Sequence, residues 1–377
     1  MPAYITDIAA CLPGPPVTND RMEDLLGRIE GKPSMLKELI LSRNGIRSRH
    51  YAIDQASGTQ THNNAQLTAE AIHMLAGGEG FRADEIELLA CGTSSPDQMI
   101  PSHAAMVHGH SGLGPCEIVS TAGVCCSSMA ALKYAYMAVA GGLARSAIAT
   151  GSEVASSVFR ARNFPTQAKR NPATIFEQEF LRWMLSDGAG AVKLEPKPRP
   201  GRLSLRIDWL DLVSFANEIE TCMFTGAVKR PDGSLQGWRE AEELSRMHDQ
   251  GYFNLTQDLK ILEKYLMPVA FRRSLARICQ RFTMTADHID WLLVHMSSEF
   301  FRRPIQQVLA EGGFDIPEER WFSNLRTKGN TGSASCFIML EELLHSGRLK
   351  PGQRIVCAVP ESARFSFAYM HLTVVEE

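Results

Sequence analysis

Residues 83–95 read Ala-Asp-Glu-Ile-Glu-Leu-Leu-Ala-Cys-Gly-Thr-Ser-Ser, and residues 286–298 read Ala-Asp-His-Ile-Asp-Trp-Leu-Leu-Val-His-Met-Ser-Ser. Six of the thirteen positions are identical, where composition alone would give roughly one. Each copy has an Ala-Asp turn, an apolar run of strand length and a polar end. A second pair lies downstream. Ser127 to Glu153 reads as a helix, a Gly-Gly break and the strand Ala147–Thr150. Gly332 to Ser362 reads as a helix, Ser346-Gly347 and the strand Arg354–Val359. Gly142 matches Gly347 at an offset of 205, close to the 203 of the first pair, and a glycine after each helix is the usual C-cap. The chain is thus read as two similar halves, 1–195 and 196–377, each alternating strands with helices. Such alternation builds a mostly parallel sheet flanked by helices.

The duplication points at chemistry. Adding 205 to Cys125 gives Asn330, and both residues stand between a predicted strand and a predicted helix. A side chain at a helix N-terminus meets partial positive charge, which favours a thiolate or an oxyanion. His295 ends the apolar run Trp291–Val294, at the carboxyl edge of the sheet, where open α/β sheets bind ligands. Three polar side chains are therefore expected to meet at one edge.

Composition narrows the function. The 377 residues are 44% apolar and 21% charged, with a net charge of −3. That suits a large core and leaves no electrostatic footprint for general binding to nucleic acid or anionic lipid. Met1–Pro16 lacks a basic start and a long apolar run, so no signal peptide is read, and no stretch reaches the ~20 apolar residues of a membrane helix. Nine cysteines without paired spacing argue for a reducing compartment, the cytoplasm, and against a disulfide framework or a zinc site. No metal is expected.

Five segments resemble the β-ketoacyl-acyl-carrier-protein synthase III family of the thiolase superfamily. Arg43-Asn44-Gly45-Ile46-Arg47-Ser48-Arg49 is similar to its Arg-Thr-Gly-Ile-x-x-Arg signature. Gly123 to Leu132 resembles the nucleophile turn. Leu185-Ser186-Asp187-Gly188-Ala189-Gly190-Ala191 resembles Phe-Gly-Asp-Gly-Ala-Gly-Ala. Trp291–His295 resembles Trp-Leu-x-x-His, and Gly329-Asn330-Thr331-Gly332-Ser333-Ala334-Ser335 resembles Gly-Asn-Thr-Ser-Ala-Ala-Ser. The order and spacing match along nearly the whole chain. Of the adjacent cysteines, Cys125 keeps Ala131-Leu132 and Gly151-Ser152 in the family's register, and the internal duplication selects it too; Cys126 reads as a small buried apolar residue. The resemblance implies a thiolase fold, a duplicated five-layered αβαβα arrangement with mixed, mostly parallel sheets. It also implies an acyl-cysteine on Cys125, and His295 and Asn330 as donors to the enolate formed when a malonyl thioester loses carbon dioxide. The acyl groups would arrive on the phosphopantetheine of an acyl carrier protein or coenzyme A, with no further cofactor. A homodimer is implied, in which Ile100, before Pro101-Ser102, reaches into the partner's acyl pocket.

The pattern departs from the family in four places. Met296 replaces a glutamine after the histidine, and Ser298 closes that motif. Pro360-Glu361-Ser362-Ala363-Arg364-Phe365 replaces a Gly-Gly-Gly-Phe loop, which brings Glu361, Ser362 and Phe365 to the substrate site. Leu39 replaces the tryptophan that stacks on coenzyme A, while Arg43 remains. Residues 155–182, with Phe159, Arg160, Arg162, Phe164, Lys169, Arg170, Phe176 and Phe180, look remodelled. Arg272, Arg273, Arg277 and Arg281 recur at near-helical spacing and Arg302-Arg303 follow the histidine; the first three and the last pair, with Arg43, are candidates for docking an acidic carrier protein, against the plainer reading of a solvated basic face. Decarboxylative condensation in lipid, polyketide or other secondary metabolism is the leading reading. Acyl transfer to an alcohol or amine is the alternative, and a non-catalytic thiolase-fold partner is disfavoured by the presence of all three residues.

Overall fold

The computed structural model describes residues 1–78, 81–165 and 172–377. Lys169 and Arg170 lie outside the described residues. Ten strands make the main sheet: β1 (Tyr4–Cys11), β2 (Leu88–Thr93), β3 (Glu117–Ala122), β4 (Ala147–Glu153), β5 (Gly188–Glu195), β6 (Leu203–Ser214), β7 (Trp291–Val294), β8 (Trp321–Phe322), β9 (Arg354–Glu361) and β10 (Ser366–Glu376). Their spatial order is β8-β7-β9-β10-β6-β1-β5-β4-β2-β3. The first five strands in the chain are one half of that order and the last five the other, in mirrored arrangement.

Within each half the same rule holds. β2 lies parallel between β3 and β4, and β7 lies parallel between β8 and β9. β5 runs antiparallel to β4 and β1, as β10 does to β9 and β6. Four of five strands in each half therefore point one way. Within the sheet the two halves join where β1 pairs with β6, at Tyr4–Arg206 and Ile5–Leu205.

Period-2 alternation sorts the core into layers. On β2, Leu88 and Ala90 face a central cluster, while Leu89 and Cys91 face an outer one beneath helices Asn64–Ala76 and His103–Ser111. On β7, Leu293 faces the centre and Leu292 and Val294 face an outer cluster built on helices Ser274–Arg281 and Arg302–Glu311. The central layer is helices Ser127–Ala140 and Ser335–His345, which pack against strands of both halves. Their sequences show why. Ser335–His345 is apolar almost all round, and Ser127–Ala140 is rich in alanine, as a helix covered on both sides requires. The result is five layers, αβαβα.

Two glycines without side chains let the central helices approach the sheet. A Cβ at Gly92 would lie 2.5 Å from the Ser127 carbonyl carbon, and one at Gly151 would lie 2.5 Å from Ser128 Cβ and 2.6 Å from Ser333 O. Gly151 is thus the point where the starts of both central helices converge on β4.

Candidate active site

Cys125 sits in the turn between β3 and helix Ser127–Ala140. Gly123 enters that turn at φ 153, and Ser127 closes it, donating from N and Oγ to Val124 O. The helix's N-cap, Cys126, offers no side-chain cap. The cap comes from the far half. Glu361, the last residue of β9, accepts at Oε2 from Val124 N (2.9 Å) and Cys126 N (3.0 Å). A carboxylate at a helix N-terminus stabilises it by about 0.3–1 kcal/mol, or up to ~2 when partly buried. Cys126 is buried, with Sγ on Val359 O.

His295 follows β7 and is fixed by donation from its backbone N to Ala358 O. Its Nε2 lies 3.0 Å from Cys125 Sγ. Burial pushes the imidazole down to about 4, so it is neutral at physiological pH. Asn330 is held by backbone bonds to Met184 and Ser186, within the segment whose Asp187 caps Ala52 and Ser156. Its Oδ1 accepts from Gly332 N at 2.9 Å, which leaves the amide NH2 as the end presented to the cavity. Glu153, buried at the end of β4, accepts from Ser94 N, Ser94 Oγ and Ser95 Oγ.

The electrostatics reverse one expectation. The place of Cys125 at a helix N-terminus predicts a favoured thiolate. The thiol is instead pushed well above its ordinary value, first by burial, then by the Glu361 and Glu153 carboxylates. Glu361 takes the N–H of the N-cap residue Cys126 and that of Val124 in the turn, and its carboxylate opposes a second negative charge on the sulfur. The resting pair is a thiol beside a neutral imidazole in hydrogen-bond reach, an arrangement in which an imidazole can take a thiol's proton.

Cys125, His295 and Asn330 line one cavity of about 320 Å³. Its walls are largely apolar: Val158, Leu181, Leu262, Leu266, Phe271 and Ile305 are among them. Of the other expected substrate residues, Met296 and Ser362 line it, and Ser362 accepts from Gln257 Nε2. Three do not. Ser298 is buried and caps the turn at Phe300. Phe365, at φ 57, packs inside the core against Tyr265. Glu361 grips the nucleophile turn and is no part of the lining. Ile100 is 86% exposed, outside its own chain's cavity.

The basic cluster has acidic partners within the chain. Arg272 pairs with Glu311, Arg273 with Glu218, and Arg277 and Arg281 with the buried Asp211, so their charge is largely answered within the chain. Arg302 pairs with Glu299. Arg43 and Arg303 are exposed with no acidic partner among the described residues. Within the described part of 155–182, Phe159 and Phe164 are core, and Arg182 donates to the Phe159 and Gly27 carbonyls; Ala155, Val158 and Leu181 line the cavity. The reading of the sequence missed the cavity wall from Met223, Phe224, Leu255, Leu262, Leu266 and Phe271. The spacing Leu255, Leu259, Leu262, Leu266 was legible as a helix face, but nothing in it tells a pocket wall from core.

Comparison with known proteins agrees with this geometry. Residues 279–359 match the model of the 3-oxoacyl-[acyl-carrier-protein] synthase III C-terminal family. A β-ketoacyl-[acyl-carrier-protein] synthase III from Deinococcus radiodurans is 30% identical over 320 residues, covering 85% of this chain and 81% of that protein. One from Bordetella petrii is 27% identical over 358 residues, covering 94% and 93%. Among solved structures, the tetronic acid condensing enzyme AbyA1 superposes with a TM-score of 0.78 at 21% identity, covering 98% of this chain and 99% of its own.

Proposed function

Because this chain belongs to the β-ketoacyl-[acyl-carrier-protein] synthase III family, acyltransferases that perform Claisen-type condensation, we propose that it joins an acyl group held on Cys125 to a malonyl or β-ketoacyl thioester carried by an acyl carrier protein. The observation that carries the reading is the 3.0 Å approach of His295 Nε2 to Cys125 Sγ in the wall of the apolar cavity, which Asn330 also lines.

In the first half-reaction, Cys125 Sγ attacks the donor thioester carbon as its proton passes to His295 Nε2. The S–C bond to Cys125 forms, the donor C–S bond breaks, and the departing carrier thiolate takes the proton. In the second, a malonyl thioester breaks its bond to the carboxylate and releases carbon dioxide. The electron pair enters the enolate, whose oxygen is met by the Asn330 amide N–H and by His295 in its Nε2–H tautomer. The carbanion attacks the acyl carbon, the Cys125 C–S bond breaks, and the Cys125 thiolate takes one proton from solvent to restore the thiol. Side chains and substrates alone balance each step, so the reading assigns no cofactor.

The cavity wall supports an acyl chain of medium length or more. Leu39, half-exposed on helix Lys37–Asn44, offers no aromatic platform for adenine. Helix Lys37–Asn44, which carries Arg43, packs on Glu299–Phe301, and Arg303 lies in the following turn between the cavity-lining Phe301 and Ile305; this supports a carrier protein as donor. The open edge of β3, with Ile118 exposed, and the exposed Tyr134, Met137 and Ile100 support a C2 homodimer. The setting proposed is cytoplasmic; among the described residues no helix is long and apolar enough to cross a membrane. Incubation with acyl-carrier and malonyl-carrier thioesters tests the reading. A β-ketoacyl carrier with stoichiometric carbon dioxide supports it. An ester or amide formed without carbon dioxide would replace it with plain acyl transfer.

A further inference from the structure

Glu361 stands where the chain departs from a glycine-rich loop, and its contacts give it a task. Its single oxygen Oε2 bonds the backbone N–H on each side of Cys125, at Val124 and at Cys126. It reaches there from the last residue of β9, in the opposite half of the fold, and is itself buried. A Cβ at Gly123 would already come within 3.4 Å of that oxygen, so turn and carboxylate are closely fitted. We propose that Glu361 is a positioning residue for the nucleophile: it clamps the turn that presents Cys125 and places a fixed negative charge behind it, so that the sulfur gives up its proton only to His295.

The groups facing Cys125 divide the work. His295 approaches from β7 at 3.0 Å. Cys126 adjoins it in the turn, and Asn330, from the other half, is uncharged. Glu153 from β4 is the second carboxylate, but its oxygens are taken by Ser94 and Ser95, not by the nucleophile turn. Glu361 alone among these carboxylates bonds the turn. Its charge cancels the pull of the N-terminal end of helix Ser127–Ala140 on a thiolate, in keeping with the upward direction of the Cys125 pKa. The consequence is a nucleophile that stays a thiol until a thioester and the neutral imidazole act on it together, which would protect it from stray alkylation and oxidation.

The inference rests on Cys125 being the nucleophile but not on which reaction follows, and the test separates the two. Iodoacetamide labelling of Cys125 is measured against pH, with peptide mapping, in the wild type and in Glu361→Gln, which keeps an acceptor oxygen and removes the charge. The midpoint should fall by about one to two pH units in the variant, whereas Glu361→Ala, lacking the acceptor, should also lower kcat more than it raises KM. An unchanged midpoint in a folded Glu361→Gln protein would overturn the proposal, whatever the wild type does with acyl thioesters. Should that variant fail to fold, amide exchange in the wild type decides: the Val124 and Cys126 N–H groups should be protected as strand amides are, and free exchange at both would overturn the clamp. Wild-type protein that shows the shift but takes no acyl group would retain the Glu361 role and refute the condensing reading.

Discussion

One hydrogen bond decides which end of Asn330 meets the substrate. Gly332 N occupies Oδ1, so the amide can offer only N–H to an oxygen in the cavity. Asn330→Ala should slow malonyl decarboxylation by about 100- to 1000-fold and leave acylation of Cys125 nearly intact, as read by carbon dioxide release and by intact mass. Asn330→Asp should be as damaging, because it replaces the donor with an acceptor. The histidine makes a prediction about pH. With its imidazole held down to about 4 by burial, His295 is a competent base above that value and loses the role as pH falls through it. The acylation rate should therefore keep its His295 dependence down to about pH 5; an acid inflection near 6.5 would show a solvated imidazole instead. At this scale the sequence was readable in part. Cys125 and Asn330 were singled out by their offset in the repeat and His295 by its place at the end of an apolar run, and all three line one cavity. The direction of the Cys125 pKa was not legible, since the helix end was visible in the sequence but the carboxylate that answers it lies 236 residues away.

Among elements, the wall of the cavity carries the substrate preference. Leu266 begins the π-helical segment Leu266–Arg273, and Leu262 lies one turn earlier; both face the cavity. Leu266→Trp should shift the preferred acyl chain toward short donors while acetyl acylation survives, as measured by kcat/KM across a chain-length series. A preference that did not move would show that the chain lies elsewhere. Gly151→Ala should destabilise the fold by roughly 1–3 kcal/mol, the cost of overpacking, since its Cβ would meet Ser128 and Ser333; denaturant unfolding measures this. Strands and central helices were legible because burial on both faces leaves apolar runs, as in Leu88–Cys91 of β2. The hairpin segment around Met223 and Leu255 was not. Its strands are two or three residues long, too short for a period to show.

For the whole molecule, the offset of about 205 residues is the most informative single number in the chain. It made Cys125 and Asn330 counterparts before any contact was known, and the mirrored strand order carries both to one cavity. Assembly and donor choice belong to this scale too. A homodimer should unfold at a temperature that rises with protein concentration, and a monomer by sedimentation at micromolar concentration would refute it. Arg303→Glu should raise KM for a carrier-protein donor and flatten its salt dependence; the ion-paired Arg272 and Arg273 should matter less. The central claim is that Cys125 carries the acyl group in a condensation. It is tested most directly by trapping the protein with an acyl-carrier thioester, mapping the adduct by peptide mass, and then adding malonyl-carrier thioester. One acyl group on Cys125, discharged into a β-ketoacyl carrier as carbon dioxide is released, is the predicted result; an adduct on Cys126, or an acyl-Cys125 that malonyl thioester leaves untouched, would contradict it.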